Sequence, residues 1–206
     1  MDQDPQSMEY VNKQHQTACF WLIISILISI QVPSAAQTHR LGAGLAFASV
    51  RSYNTGETGN PGFSIQYWHS LDKTGTIHLV PALCLYNPYK LKTGYMELTN
   101  YLFQADVNLH YTVFREGTVA ITAFGGVNAT QLISRYMPIV ITGDETIEDK
   151  DDLYFGGNLG ACLELYMSPK WDFNVTAKYI VSEYGQVVIG VQAAYYFIKR
   201  RRAYRR

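Results

Sequence analysis

Residues 101–113 read Tyr-Leu-Phe-Gln-Ala-Asp-Val-Asn-Leu-His-Tyr-Thr-Val. Every odd position is apolar or aromatic, from Tyr101 and Phe103 to Tyr111 and Val113. From Gln104 onward every even position is polar: Gln104, Asp106, Asn108, His110 and Thr112. A strand sends alternate side chains to opposite faces, so this stretch has one apolar and one polar face. Its thirteen residues exceed the usual globular strand of about five or six. They suit a membrane-crossing strand, which needs about 9–11. In a soluble barrel the apolar face points inward; in an outer-membrane barrel it points at lipid.

The amino terminus bears on that choice. Cys19 to Ile30 is a short apolar run, preceded by Lys13 and His15 and followed by Pro33-Ser34-Ala35-Ala36. These three parts make a cleavable secretory signal peptide over residues 1–36, with small residues ahead of a cut after Ala36. About a dozen apolar residues are too few for the roughly 20 that a membrane helix needs. Removing 36 of 206 residues leaves 170, one domain's worth. The remaining chain has no apolar run long enough for a helical span, and only helices and closed barrels can cross a bilayer. Cys84 and Cys162 then remain, too few for a disulfide framework, and read as small inward-facing side chains.

Eight alternating segments follow: 40–49, 63–71, 76–86, 101–113, 118–130, 154–166, 171–181 and 187–197. Long and short connections alternate between them. Residues 51–62, 87–100 and 134–153 are long; 72–75, 115–117 and 168–170 are tight; 182–185 closes the last pair. An up-and-down barrel puts alternate connections at opposite ends, and outer-membrane barrels have short periplasmic turns and longer external loops. The expected fold is an all-β, eight-stranded antiparallel up-and-down transmembrane β-barrel over residues 37–197, preceded by the signal peptide and followed by a basic periplasmic tail over 198–206.

The polar face is rich in Gly, Ala, Ser, Thr, Asn and Gln and carries Arg40, Asp106, Glu164, Asp172 and Lys178. Unpaired charges in a dry core are strongly disfavoured. In a narrow lumen they can pair, so the expected lumen polar network is Arg40, Gln104, Asp106, His110, Glu164 and Lys178. Side chains just fill an eight-stranded barrel. Long inward members such as Gln66, Trp68 and Tyr166 point to a plugged lumen with little or no conductance.

The chain resembles the small outer-membrane β-barrels of the OmpA transmembrane-domain and OmpX type. The resemblance rests on the leader, the eight strands, the inward glycines (Gly42, Gly44, Gly125, Gly126, Gly156, Gly157, Gly160) and a last strand ending Tyr195-Tyr196-Phe197. It implies location in the outer membrane of a Gram-negative bacterium, contact with outer-membrane lipid and lipopolysaccharide, and an assembly signal at Tyr195 and Phe197 read by the barrel-assembly machinery. The tail after Phe197 departs from that pattern, with Lys199, Arg200, Arg201, Arg202, Arg205 and Arg206.

The formal net charge of zero conceals this basic tail and an acidic loop with Asp144, Glu145, Glu148, Asp149, Asp151 and Asp152. Both read as solvated segments; the tail is also a possible contact for an envelope protein partner. Nucleic acid is not an expected partner. No catalytic residue, cofactor or metal is expected. His69 and Ser70 are adjacent and face opposite ways, so they are not each other's partners; a pairing of Asp106 with Lys178 stays open. The leading function is non-enzymatic: envelope structure or surface interaction through the long loops. The alternatives are an accessory barrel of a secretion or conjugation apparatus, a soluble lipocalin-like carrier, and a lipid-modifying barrel enzyme.

Overall fold

A computed structural model describes residues 39–52, 56–93, 96–138, 150–183 and 185–197. The expected leader, the middle of the acidic loop and the basic tail lie outside the described residues. Among the described residues nine strands follow in order: β1 (His39–Ser52), β2 (Gly56–Ser70), β3 (Ile77–Tyr86), β4 (Tyr89–Thr93), β5 (Met96–Glu116), β6 (Val119–Pro138), β7 (Lys150–Tyr166), β8 (Trp171–Val181) and β9 (Gln186–Tyr196). Every pairing is antiparallel, each strand next to its chain neighbour except that β3 and β4 both pair with β5. Pairing of β9 with β1 joins first strand to last and closes the ring. Eight strands form the wall; β4 continues the line of β3 along β5 after a break at Asn87 and Pro88. Proline has no amide hydrogen for a ladder, which suits it to such a break.

The wall is sheared. Stepping across partners from Trp171 leads through Tyr195, Leu41, Tyr67, the level of Pro81, Val107, Val127 and Gly157, and returns to β8 at Val181. The return point is ten residues from the start. With a rise of about 3.3 Å per residue and about 4.8 Å between strands, that stagger tilts the strands by about 40°. Membrane barrels tilt by about 35–45°.

Alternation carries through to burial. Leu41, Leu45, Phe63, Leu83, Leu109, Val127, Leu159 and Ile189 are exposed on the outside, while Arg40, Ser64, Asp106, Asn128, Glu164 and Gln192 are buried inside. This inverts a soluble barrel: the exterior is apolar and the packed interior is polar. A continuous exposed apolar surface of this kind marks an interaction with something other than water, and around a closed barrel it is the lipid face.

Three features differ from the sequence reading. The expected long loops 51–62 and 87–100 are largely strand, because β1 and β2 pair out to Ser52 and Gly56 and β5 begins at Met96. In 134–153, β6 runs to Pro138 and β7 begins at Lys150. Residues 56–62 have no apolar face, and the alternation in 89–92 and 96–99 is only two apolar residues long (Tyr89 and Leu91, Met96 and Leu98), too short to signal a strand. Gly125 and Gly157 point outward, not inward: neighbours alternate, and their inward partners are Gly126 and Gly156. At Gly42 a β-carbon would sit 2.6 Å from the Trp68 ring, so the absent side chain makes room for an indole inside the barrel.

The opposite end carries the tight turns. Gly75 (φ 66°) and Gly117 (φ 55°) take the left-handed conformation that glycine adopts without penalty. Arg115 donates to the Gly75 carbonyl at 2.8 Å and so ties the two turns together. Asp72 accepts from the Thr76 and Ile77 amides, each at 2.9 Å, and from the Thr74 hydroxyl. Partial burial pushes the Asp72 carboxyl up, but the bonds from Thr74, Ile77 and Thr76 outweigh it and hold the carboxyl below its ordinary 3.8. A depressed folded value stabilises above the unfolded value and is lost as pH falls through the folded one. The unfolding midpoint of the protein is therefore expected to drop below pH 3.8 more steeply than that of Asp72→Asn, as read by urea titration in detergent at pH 7 and in acid. Equal slopes would show that the turn carboxylate does not couple to folding.

Candidate functional site: a polar plug and two barrel ends

The charged inward side chains form two separate hydrogen-bonded groups. The group nearer the tight turns centres on Arg40. Its Nη1 lies 2.9 Å from Glu164 and 2.5 Å from Asp172, and all three side chains are almost fully buried. The Glu164 carboxylate also accepts from the Thr122 hydroxyl (3.1 Å) and the Tyr166 hydroxyl (3.0 Å). Asp172 accepts from the Tyr196 hydroxyl. The Arg40 guanidinium lies 4.6 Å from the Trp68 ring centroid, a cation–π contact favoured by loss of water. A buried charge is tolerable when paired and hydrogen-bonded in this way.

The second group lies toward the extended hairpins. Lys178 bonds to Asp106 across the lumen. Asp106 also accepts from Asn128 (2.6 Å) and Asn158 (3.0 Å), and Asn158 reaches Asn108 at 2.9 Å. Elsewhere in the lumen Gln104 accepts from Tyr86 (2.9 Å) and donates to Gln186 (2.6 Å). His110 joins neither group by a side-chain bond; its ring stacks on Phe124 with centroids 4.4 Å apart.

All six residues expected for the lumen network thus point inward, but they form two charge groups and a glutamine bridge rather than one network. Asp172, Tyr196, Trp68, Asn128 and Asn158 complete the groups. Each lies at an inward position legible from alternation; what alternation does not supply is which inward residues meet. Asp106 and Lys178 belong to β5 and β8, so they meet across the lumen rather than on adjacent strands. A cavity of about 20 Å³ remains, lined by Asp106, Asn108, His110, Thr176, Lys178 and Gln192. That is room for about one water, not a conduit.

His69 faces outward and Ser70 inward, as their adjacency requires. Cys84 and Cys162 are both free and buried. Among the described residues no three His, Cys, Asp or Glu side chains gather in a metal-ligating group. At the turn end Trp171, Tyr195 and Phe197 form an edge-to-face series, with centroids 5.0 Å and 5.6 Å apart. Phe197 extends the seam past β9 by donating its amide to the His39 carbonyl at 3.1 Å. Aromatic rings with an apolar body and a polar edge favour the membrane–water boundary.

No protein-family model and no curated protein matches the sequence. Solved structures do match in shape. Ail, the attachment invasion locus protein of Yersinia pestis, aligns over 78% of this chain and 98% of its own, with a TM-score of 0.57 and 10% identity. Neisserial surface protein A aligns over 80% and 99%, with a TM-score of 0.53 and 11% identity. The N-terminal β-barrel domain of Pseudomonas aeruginosa OprF aligns over 79% and 98%, with a TM-score of 0.51 and 12% identity. The chain has the fold of the small eight-stranded outer-membrane β-barrels.

Proposed function

We propose that this chain is an integral outer-membrane protein of a Gram-negative envelope, whose sealed barrel anchors extended hairpins at the cell surface for interaction there. The observation that carries the reading is the contrast between the two ends. At one end the turns are tight and tied together. At the other, paired strands run on beyond the apolar belt to Ser52 and Gly56, and to Met96 and Pro138. Hydrogen-bonded ladders hold these projections in shape, as a recognition surface requires and a mere loop closure does not. The filled lumen argues against transport as the purpose. Ail, named for attachment and invasion, presents the same fold. Lipid and lipopolysaccharide would solvate the belt, and the assembly machinery would read Tyr195 and Phe197. The basic tail lies outside the described residues and carries no part of the reading.

Orientation is the testable core. Cys84 and Cys162 are buried and free, so a new surface cysteine is the accessible thiol of the barrel. Lys92→Cys on β4 is expected to react with a membrane-impermeant maleimide on intact cells. Lys73→Cys in the β2–β3 turn is expected to react only after the outer membrane is permeabilised. Labelling of Lys73→Cys alone on intact cells would invert the barrel, and recovery of the protein in the soluble fraction would sink the proposal.

A further inference from the structure

We propose that His39, His69 and Tyr67 form a binding site for a divalent transition-metal ion of the zinc type, on the outer face at the turn end of the barrel. His39 and His69 are direct partners across the β1–β2 ladder. Both lie on the outward parity of their strands, as does Tyr67; His39 and Tyr67 are half-buried and His69 is buried. The two imidazoles approach through like atoms: Nδ1 to Nδ1 is 3.2 Å. The Tyr67 hydroxyl oxygen lies 2.7 Å from the same His39 Nδ1. Three polar atoms thus converge where a neutral imidazole nitrogen offers one lone pair or one hydrogen, not both. His39 Nδ1 can make one good hydrogen bond in its plane, so the second close neighbour is left poorly matched.

An ion resolves this, because a cation accepts a lone pair from each nitrogen. Zinc binds imidazole nitrogen at about 2.0 Å. Two nitrogens at that distance and 3.2 Å apart subtend about 106° at the ion, close to the tetrahedral angle. The phenol oxygen lies beside the His39 nitrogen, 2.7 Å from it, and is the neighbouring oxygen for a third position. The ladder fixes both backbones, and the two imidazole rings are tilted at 41° to each other with centroids 4.8 Å apart, while His39 stacks on Tyr67. The ordering that a chelate normally requires is therefore already in place. The paired imidazoles suit zinc and copper over calcium or magnesium, which prefer several carboxylate or carbonyl oxygens. The site is independent of the proposed surface role and faces the other end of the barrel.

The test uses the folded protein in detergent, titrated with Zn²⁺ against a chromophoric chelator and with Co²⁺ for the visible absorption of a tetrahedral site. One ion per chain is expected. His39→Gln and His69→Gln should each weaken zinc by more than the roughly 10–100-fold that loss of an outer-shell partner causes. Tyr67→Phe should weaken it less, and the lumen variant His110→Gln should leave it unchanged. An unboiled gel shift confirms that each variant is folded. The proposal is overturned if the protein binds no zinc, or if His110→Gln abolishes binding. It is equally overturned if His69→Gln binds as the unaltered protein does, because His39 would then act without its partner.

Discussion

Arg40→Ala is expected to destabilise the barrel by about 3–5 kcal/mol, the usual consequence of removing one partner of a buried ion pair. Against a typical total of about 5–15 kcal/mol, that takes a large share. Arg40 is the sole cation within bonding distance of Glu164 and Asp172 among the described contacts. Without it two carboxylates are left in the lumen with only hydroxyls to face: Thr122 and Tyr166 on one, Tyr196 on the other. The measurement is the urea midpoint in detergent, followed by the fraction migrating as the unboiled, folded band. The combined variant Arg40→Met, Glu164→Gln, Asp172→Asn removes all the charges and is expected to recover most of the loss, since replacing a whole buried ion group is often near neutral. A small effect from Arg40→Ala alone would mean that water reaches this end of the lumen and screens the carboxylates.

Val127→Arg has the second-largest expected effect, and its size distinguishes lipid from water outside the wall. Val127 is 63% exposed on β6, opposite Val107 and well away from both ends of its strand. In water an arginine at so exposed a site would change stability by only a few tenths of a kcal/mol. In a bilayer it should cost about 2–4 kcal/mol near the midplane. Val181→Arg is the internal control: it is similarly exposed at 61% but ends β8, where the penalty should fall to about 0–1 kcal/mol. Unfolding in lipid vesicles should rank the parent and Val181→Arg together, with Val127→Arg well below. Equal stability for all three would place water against the apolar belt.

Alternation made the wall legible. β8 spans the segment that period-two reading gives, residue for residue, because every outward position from Trp171 to Val181 is apolar and every inward one is polar but Ile180. The same rule fails at Gly56–Pro61, which has no apolar face, and at Met96–Asn100, whose apolar Met96 and Leu98 fall on the parity opposite to that of the lipid-facing Tyr101 and Leu109. Hydrophobic period reports lipid contact, not hydrogen bonding, so ladders that leave the bilayer lose the signal while keeping the geometry. The break at Asn87 and Pro88 is visible as a proline but not as a strand resuming. Lumen membership was readable in the same way, whereas lumen contacts were not. Whether Lys178 meets Asp106 or Glu164 depends on a ten-residue shear accumulated around eight strands, and no single segment carries that quantity.

The placement of Arg40 also sets an order of events. Its carboxylate partners sit on β7 and β8, 124 and 132 positions later in the chain, and Tyr196, which bonds to Asp172, ends the strand that pairs with β1. Until β9 zips against β1, the guanidinium on the first strand has no counter-charge, and an open sheet cannot leave the aqueous phase without carrying that charge bare into oil. Ring closure and the pairing of Arg40 with its carboxylates are consequently one step. In a half-built barrel these charges stand bare, and only the finished cylinder brings the guanidinium and both carboxylates together inside the wall.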